Sequence, residues 1–234
     1  MDFSVRSTEK ERMDSFDMPQ NELDRNLLEL EIINRWLGGY AVSFSGLARL
    51  KPDRGRKWSV ADLGCGGGDG MVAMSEYLSR KGVQARFTGI DANPAALLYA
   101  RSRCKAYPGF EWKTIPFQEF DGSTTDILHC SLFAHHFFGE DLQRLVQVLG
   151  SARKGFIVND LHRHPLAYYS IRLLTRLFSR SPLVRHDAPL SVARGFSRSE
   201  LEEIFRPLAL KFDLELRWQW AFRWRLTGIR RENA

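Results

Sequence analysis

Between residues 21 and 37 (NELDRNLLELEIINRWL) apolar side chains fall at 23, 27, 28, 30, 32, 33, 36 and 37, the period of a helix with one buried face. Gly38 and Gly39 end that run, as glycine does at many helix C-termini, and a second helix is expected over 40–50. The pattern then changes to short apolar runs. Strands are expected near 58–63, 86–91, 110–114, 125–131 and 154–160, with helical segments between several of them. This alternation predicts an α/β fold on a parallel sheet. The tail, 208–217 and 219–227, reads as two strands joined by a tight turn. Residues 1–20 are polar and are expected to be a flexible N-terminus, leaving 21–234 as one domain with a helical cap (21–50).

Past the fifth strand the pattern is more individual. Residues 165–180 keep a helical period, with Arg172, Arg176 and Arg180 four apart on one face and Leu166, Tyr169, Leu173 and Leu177 on another. Residues 186–196 (HDAPLSVARGF) read as a loop returning over a pocket. Ser197 with Glu200 three positions later forms a capping box that opens a helix to Phe205. Residues 162–199 are therefore expected to form a helical lid.

The chemistry begins at residues 60–70, VADLGCGGGDG. A strand ends in an acid, a run of glycines follows, and 71–80 begins a helix. Glycine opens backbone angles closed to other residues and lets a ligand lie against the peptide groups. The helix behind it points free N–H groups at that ligand. A dinucleotide fold wants G-x-G-x-x-G, but counting from Gly64 the third position is Asp69, and counting from Gly66 it is Met71. The spacing present is D-x-G-x-G-x-G, from Asp62 through Gly64, Gly66 and Gly68. The next strand ends at Asp91, 21 positions after Gly70, where doubly wound folds place an acid on ribose hydroxyls. Asn93 and Pro94 then start a helix as its N-cap and first residue.

These two acids and the glycine turn resemble the cofactor site of the class I S-adenosylmethionine (SAM)-dependent methyltransferases. The resemblance implies a Rossmann-like fold: a mostly parallel seven-stranded sheet with an antiparallel C-terminal strand and helices on both faces. It implies SAM as cofactor, with Asp62, Gly64, Cys65, Gly66, Asp91, Ala92, Phe117 and Ser131 as the residues that hold it. Many family members carry an acid and a small residue after the third strand, whereas this chain has Pro116 and Phe117, so the adenine is expected to be held by packing and main-chain bonds. The run from Ser131 through His135 and His136 resembles the histidine-bearing segment of small-molecule methyltransferases of the ubiquinone/menaquinone-biosynthesis type. INRWLGG (33–39), VNDLHR (158–163) and the 189–196 stretch are similar to a bacterial subgroup associated with polyketide-type and quinone-like pathways. That subgroup implies a hydrophobic small-molecule acceptor methylated on an oxygen of a phenol, enol or quinol.

A weakly acidic acceptor gains from a base that titrates near neutrality, and histidine is that side chain. His135 or His162 is the expected base, with Asp160 orienting it, and His136 is expected to pack into the core. The net charge of +6 and pI near 9.4 raise nucleic acid or an anionic membrane as partners. The basic residues are scattered, and the segment after the fourth strand, Ser131-Leu132-Phe133-Ala134, lacks the Asn/Asp-Pro-Pro-aromatic run of base-directed enzymes. Nucleic acid is accordingly not the expected partner. The basic lid helix is instead a candidate for peripheral contact with a membrane. An RNA methyltransferase and a non-catalytic SAM-binding protein are the rival classes. Cys65, Cys104 and Cys130 cannot all pair and read as reduced thiols, which with the polar start of the chain points to a cytoplasmic protein. No Cys/His spacing has the form of a metal site.

Overall fold

The structure is a computed structural model and describes residues 2–232. Two helices, α1 (Gln20–Trp36) and α2 (Gly39–Leu50), precede the first strand. There follow β1 (Trp58–Leu63), α3 (Asp69–Arg80), β2 (Ala85–Asp91), α4 (Pro94–Arg103), β3 (Phe110–Thr114), β4 (Ile127–Ser131), α5 (Gly139–Leu149) and β5 (Gly155–Leu161). The chain continues through α6 (Pro165–Phe178), α7 (Pro182–Arg194) and α8 (Arg198–Phe205) to the hairpin β6 (Phe212–Gln219) and β7 (Arg223–Arg230).

The seven strands form one sheet in the order β3-β2-β1-β4-β5-β7-β6. β1 pairs in parallel with β2 and β4, and β4 with β5, while β7 inserts antiparallel between β5 and β6. Side chains alternate between two cores. Phe156 and Val158 pack with Leu145, Phe205 and Phe212 on one face, and Ile157 packs with Leu47, Met71, Met74 and Phe87 on the other. The order of the sheet reverses beside β1, between β1 and β4, and ligands bind beyond the carboxyl ends of strands at such a switch.

Local chemistry explains the starts of several helices. Asn93 caps α4 by accepting from Ala95 N–H, with Pro94 in the first turn, and Ser197 and Glu200 complete the expected capping box of α8. Two stretches differ from the sequence reading. The expected loop over 186–196 is mostly helix α7, which contains Pro189. Proline inside a helix costs about 3 kcal/mol, yet Ser181 caps this helix and Val184, Ala188 and Val192 bury against Ala167 and Ile171 of α6. The C-terminal strands begin about four residues later than expected, because Arg206–Leu210 form a 3-10 turn with Pro207 in its first turn.

The N-terminal segment, expected to be flexible, is packed as a strap across α7. Asp187 accepts from the backbone N–H groups of Arg12 and Met13 at 3.0 Å each, which holds a short turn over Arg12–Asp14. Arg6 donates to the carbonyls of His135 (2.9 Å) and Arg194 (2.8 Å). No helix among the described residues is long and apolar enough to cross a membrane.

Candidate active site

A cavity of about 440 Å³ opens at the C-terminal ends of β1 and β4. One end is the glycine turn. Gly64, Gly66 and Gly68 all have positive φ (69°, 50° and 77°), which turns the chain sharply so that Gly64 and Cys65 N–H both donate to Ile90 O. At Gly64 no other residue fits, since an added Cβ would lie 2.0 Å from the ring of Phe133. Asp62, Gly64, Cys65, Gly66, Gly67, Asp69 and Ser131 border the cavity here.

Asp91 sits just behind the turn. Its two carboxylate oxygens accept from Gly66 N–H and Asn93 N–H at 2.9 Å each, and burial pushes its pKa up. Asp62 is fixed from below by His129, whose Nδ1 lies 2.7 Å from Asp62 Oδ1, both side chains being buried. Asp69, at the start of α3, accepts from Tyr40 O–H at 2.7 Å, and burial raises its pKa also. Of the expected cofactor residues, Asp91, Ala92 and Phe117 do not line the cavity. Ala92 is exposed. Phe117 is buried in an aromatic cluster with Phe133 and Phe137, at centroid distances of 5.7 and 4.7 Å.

The other end of the cavity is assembled from distant segments. Asn26, Leu27, Leu30 and Ile33 of α1, Ile171 and Leu174 of α6, and Ala188 and Val192 of α7 line it. So do Phe222 and Arg223 at the start of β7. Most are apolar, which suits a greasy ligand.

His135 stands where the two ends meet, 2% exposed. Its Nδ1 lies 2.7 Å from Asp160 Oδ1, and its Nε2 lies 3.4 Å from Glu11 Oε1 of the strap. Burial opposes protonation of the ring, but the two carboxylates outweigh it and raise the pKa to about 9. At neutral pH His135 is thus an imidazolium with a carboxylate at each nitrogen. Burial likewise acts to raise Asp160 and Glu11, yet His135 outweighs it and holds both below the usual carboxylate range. Asp160, expected at the mouth, does not line the cavity and meets it through His135. The two histidines differ from expectation: His135 is the deeply buried one, while His136 also lines the cavity and pairs with Asp14 (2.8 Å).

His162, expected at the same mouth, does not line the cavity. Its Nδ1 accepts from Trp218 Nε1–H at 3.1 Å, its ring packs on Trp224, and burial lowers its pKa to about 4. Sequence reasoning missed Glu11, Asn34 and Arg223. The signal available for Asn34 was a polar residue on the apolar face of α1, and for Glu11 there was none. Glu11, His135 and His136 also place three ligand-type atoms within 4.8 Å of one another, but protonated His135 already supplies the cation that this carboxylate cluster needs.

The sheet order β3-β2-β1-β4-β5-β7-β6, with a glycine turn after β1 and an acid after β2, is the arrangement expected of a class I methyltransferase fold. Residues 60–154 match the family model described as a methyltransferase domain. No curated protein matches the sequence. Among solved structures, the chain is similar to the plantazolicin methyltransferase in complex with S-adenosylhomocysteine (SAH), at 14% identity and TM-score 0.65, over 90% of this chain and 96% of that one. It is similar to human N-acetylserotonin methyltransferase in complex with SAM, at 15% identity and TM-score 0.63, over 95% of this chain and 63% of that one. The citrinin polyketide synthase CMeT domain aligns at 14% identity and TM-score 0.56, over 76% of this chain, which spans about half (48%) of that one. The match to a methyltransferase domain thus occupies the centre of the chain, residues 60–154, and these solved methyltransferase structures share the fold around it.

The residues present fit SAM. Ser131 Oγ is buried at the cavity wall without a hydrogen-bond partner, ready to bond a ligand. Asp62 and Asp69 place carboxyl groups on that wall, where an ammonium or a sulfonium would meet them, whereas Glu31 is already paired with Arg35 and Arg103. Asp91 keeps lone pairs free for hydroxyl donors beyond its two backbone bonds. Bound there, SAM would supply an activated methyl group on sulfur, and the residues of the cavity would bind and orient it.

Proposed function

We propose that the protein methylates an oxygen of a hydrophobic small molecule, a phenol, enol or quinol, seated between the glycine turn and the lid helices. One observation carries this reading: a single cavity runs from the glycine turn to the apolar faces of α1, α6 and α7, with His135 and Glu11 between the two ends. Positioning an acceptor oxygen in such a pocket supplies much of the acceleration.

The residue roles follow from the geometry. Hydrogen-bonded to Asp160 and facing Glu11, protonated His135 acts as a fixed positive charge that favours an ionised acceptor oxygen, with Asp160 as its positioning residue. Glu11 Oε1 is buried, borders the cavity and lacks a complete hydrogen bond, so it is the group placed to take the acceptor's proton. The strap that carries it covers the site and keeps water out.

The lid supports a further part of the same reading, peripheral contact with an anionic membrane. α6 exposes Leu166, Tyr169, Leu173, Leu177 and Phe178 beside exposed Arg172, Arg176 and Arg180. Trp220, 69% exposed, borders the cavity, and Trp36 is 82% exposed at the end of α1. Tryptophan at the headgroup level and arginine on lipid phosphates are the side chains such a contact uses.

A labelled-methyl screen of phenols, quinols, alkylresorcinols and fatty acids tests the reaction. Label transfer to a phenolic or enolic oxygen is expected. Transfer to tRNA in preference to every small molecule would overturn the proposal.

A further inference from the structure

A buried guanidinium costs several kcal/mol unless an opposite charge faces it. Among the described residues four arginines are buried: Arg163, Arg194, Arg223 and Arg225. Three of them meet carboxylates. Arg163 forks onto Glu200 with two bonds of 2.8 Å, Arg225 pairs with Glu215, and Arg194 lies near Glu11 and Asp14. Arg223 differs. Among the described residues it forms no salt bridge, and its hydrogen bonds go to neutral amide oxygens, Nη1 to Asn159 Oδ1 (3.3 Å) and Nη2 to Asn34 Oδ1 (3.0 Å). Its Nε is buried with no partner. Arg223 also lines the cavity, beside Asn34, Leu37 and Phe222.

We propose that Arg223 is the anchor for an anionic oxygen of the methyl acceptor, a carboxylate or ionised phenol on an otherwise apolar molecule. The cavity then selects acidic acceptors over neutral ones of the same shape. This rests on the small-molecule methyltransferase reading above.

The surroundings hold the guanidinium ready. Asn159 uses its amide N–H groups on Gly39 O (2.8 Å) and Ser43 Oγ (3.2 Å), so its oxygen must face Arg223. Ser43 Oγ lies 2.8 Å from His129 Nε2, and His129 reaches Asp62 through Nδ1. One buried chain of hydrogen bonds thus joins Arg223 to the acid that opens the glycine turn. On the α2 side there is no room to move, since a Cβ on Gly39 would stand 1.6 Å from Asn34 Oδ1 and 3.1 Å from Arg223 Cζ. Burial lowers the Arg223 pKa only to about 10, so the charge persists at neutral pH. Asp160 acts on Arg223 only from beyond salt-bridge distance, so an anionic ligand oxygen in the cavity would be its first direct counter-charge.

The carboxylate of the cofactor's methionine end has the same chemistry, and the experiment separates the two sources. Protein saturated with SAH is titrated calorimetrically with 4-hexylbenzoate and with its neutral isostere 4-hexylbenzamide. Wild type is expected to bind the acid at least about tenfold more tightly, the scale of a charge-assisted hydrogen bond. Arg223→Gln is expected to abolish that preference and Arg223→Lys to keep part of it, with SAH affinity within about threefold of wild type in both. Equal binding of acid and amide by wild type, or no binding of the acid, overturns the assignment whether or not the variants fold. A preference that survives in Arg223→Gln overturns it too. So does a loss of SAH affinity of about tenfold or more in folded Arg223→Gln, which would give the guanidinium to the cofactor. Wild type that binds no SAH would bring down the methyltransferase reading itself, whereas wild type that binds SAH without preferring the acid removes only this inference.

Discussion

The two ends of the cavity are built on opposite plans. At the cofactor end most wall residues come from one stretch, Asp62 to Gly70, and the backbone does the shaping. At the acceptor end the wall is gathered from the strap, α1, α6, α7 and the start of β7, and side chains do the shaping. A contiguous turn is fixed by φ angles that only glycine adopts freely. A gathered wall depends on many tertiary contacts, each replaceable. The first kind of site suits a ligand shared by many enzymes, and the second suits a substrate peculiar to one.

If that contrast is right, the largest effect falls on the turn. Gly64→Val places a branched side chain against the Phe133 ring at positive φ. SAH affinity should fall by about a hundredfold or more, with a lower melting temperature, both measurable by calorimetry. Unchanged SAH binding would mean that the turn is not the cofactor site.

Next comes the strap. Glu11→Gln removes the proposed proton acceptor while leaving its shape. Turnover should drop by roughly a hundredfold, with SAH affinity unchanged, read from initial rates and calorimetry on the same preparation. A parallel loss of SAH binding would erase the distinction between the two ends.

The charge on His135 gives a pH signature. Its folded pKa of about 9 lies above its ordinary value of 6.5. The stability it contributes is therefore complete below pH 6.5 and is lost as pH rises through 9. The melting temperature should decline between pH 7 and 9.5, and His135→Gln should flatten that decline. An identical slope in the variant would show that the Glu11–His135–Asp160 cluster is not held by charge.

The smallest effect belongs to the outer rim. Arg172→Glu with Arg176→Glu should weaken sedimentation with phosphatidylserine vesicles by about tenfold or more, while methyl transfer to a water-soluble acceptor stays the same. Wild type that ignores anionic vesicles would confine the acceptor end to soluble substrates.

Much of the first plan was legible in the chain. The glycine spacing, Asp62, Asp91 and the Asn93-Pro94 helix start are local, so residue type and position suffice to read them. The pairing of Asp160 with His135 was legible because each lies near the end of adjacent strands in a parallel sheet. The protonation of His135 was not, because it depends on Glu11, 124 positions away in the chain, and no periodicity links them. His162 illustrates the same limit: its place in the sequence resembles that of Asp160, but Trp218 and Trp224 hold it away from the cavity. α7 was misread because the local signal of Pro189 is real, and only burial against α6 overrides it.

By itself, then, the sequence determined the alternation of strands and helices, the class of fold and the turn on which a cofactor would lie. Each of these is written in short-range patterns: hydrophobic period, glycine φ and caps. The tertiary structure alone decided which ionisable groups meet, which are charged, and that one buried arginine among four lacks a counter-charge. Those outcomes depend on burial and Coulomb interaction, which act through space and take no account of separation along the chain.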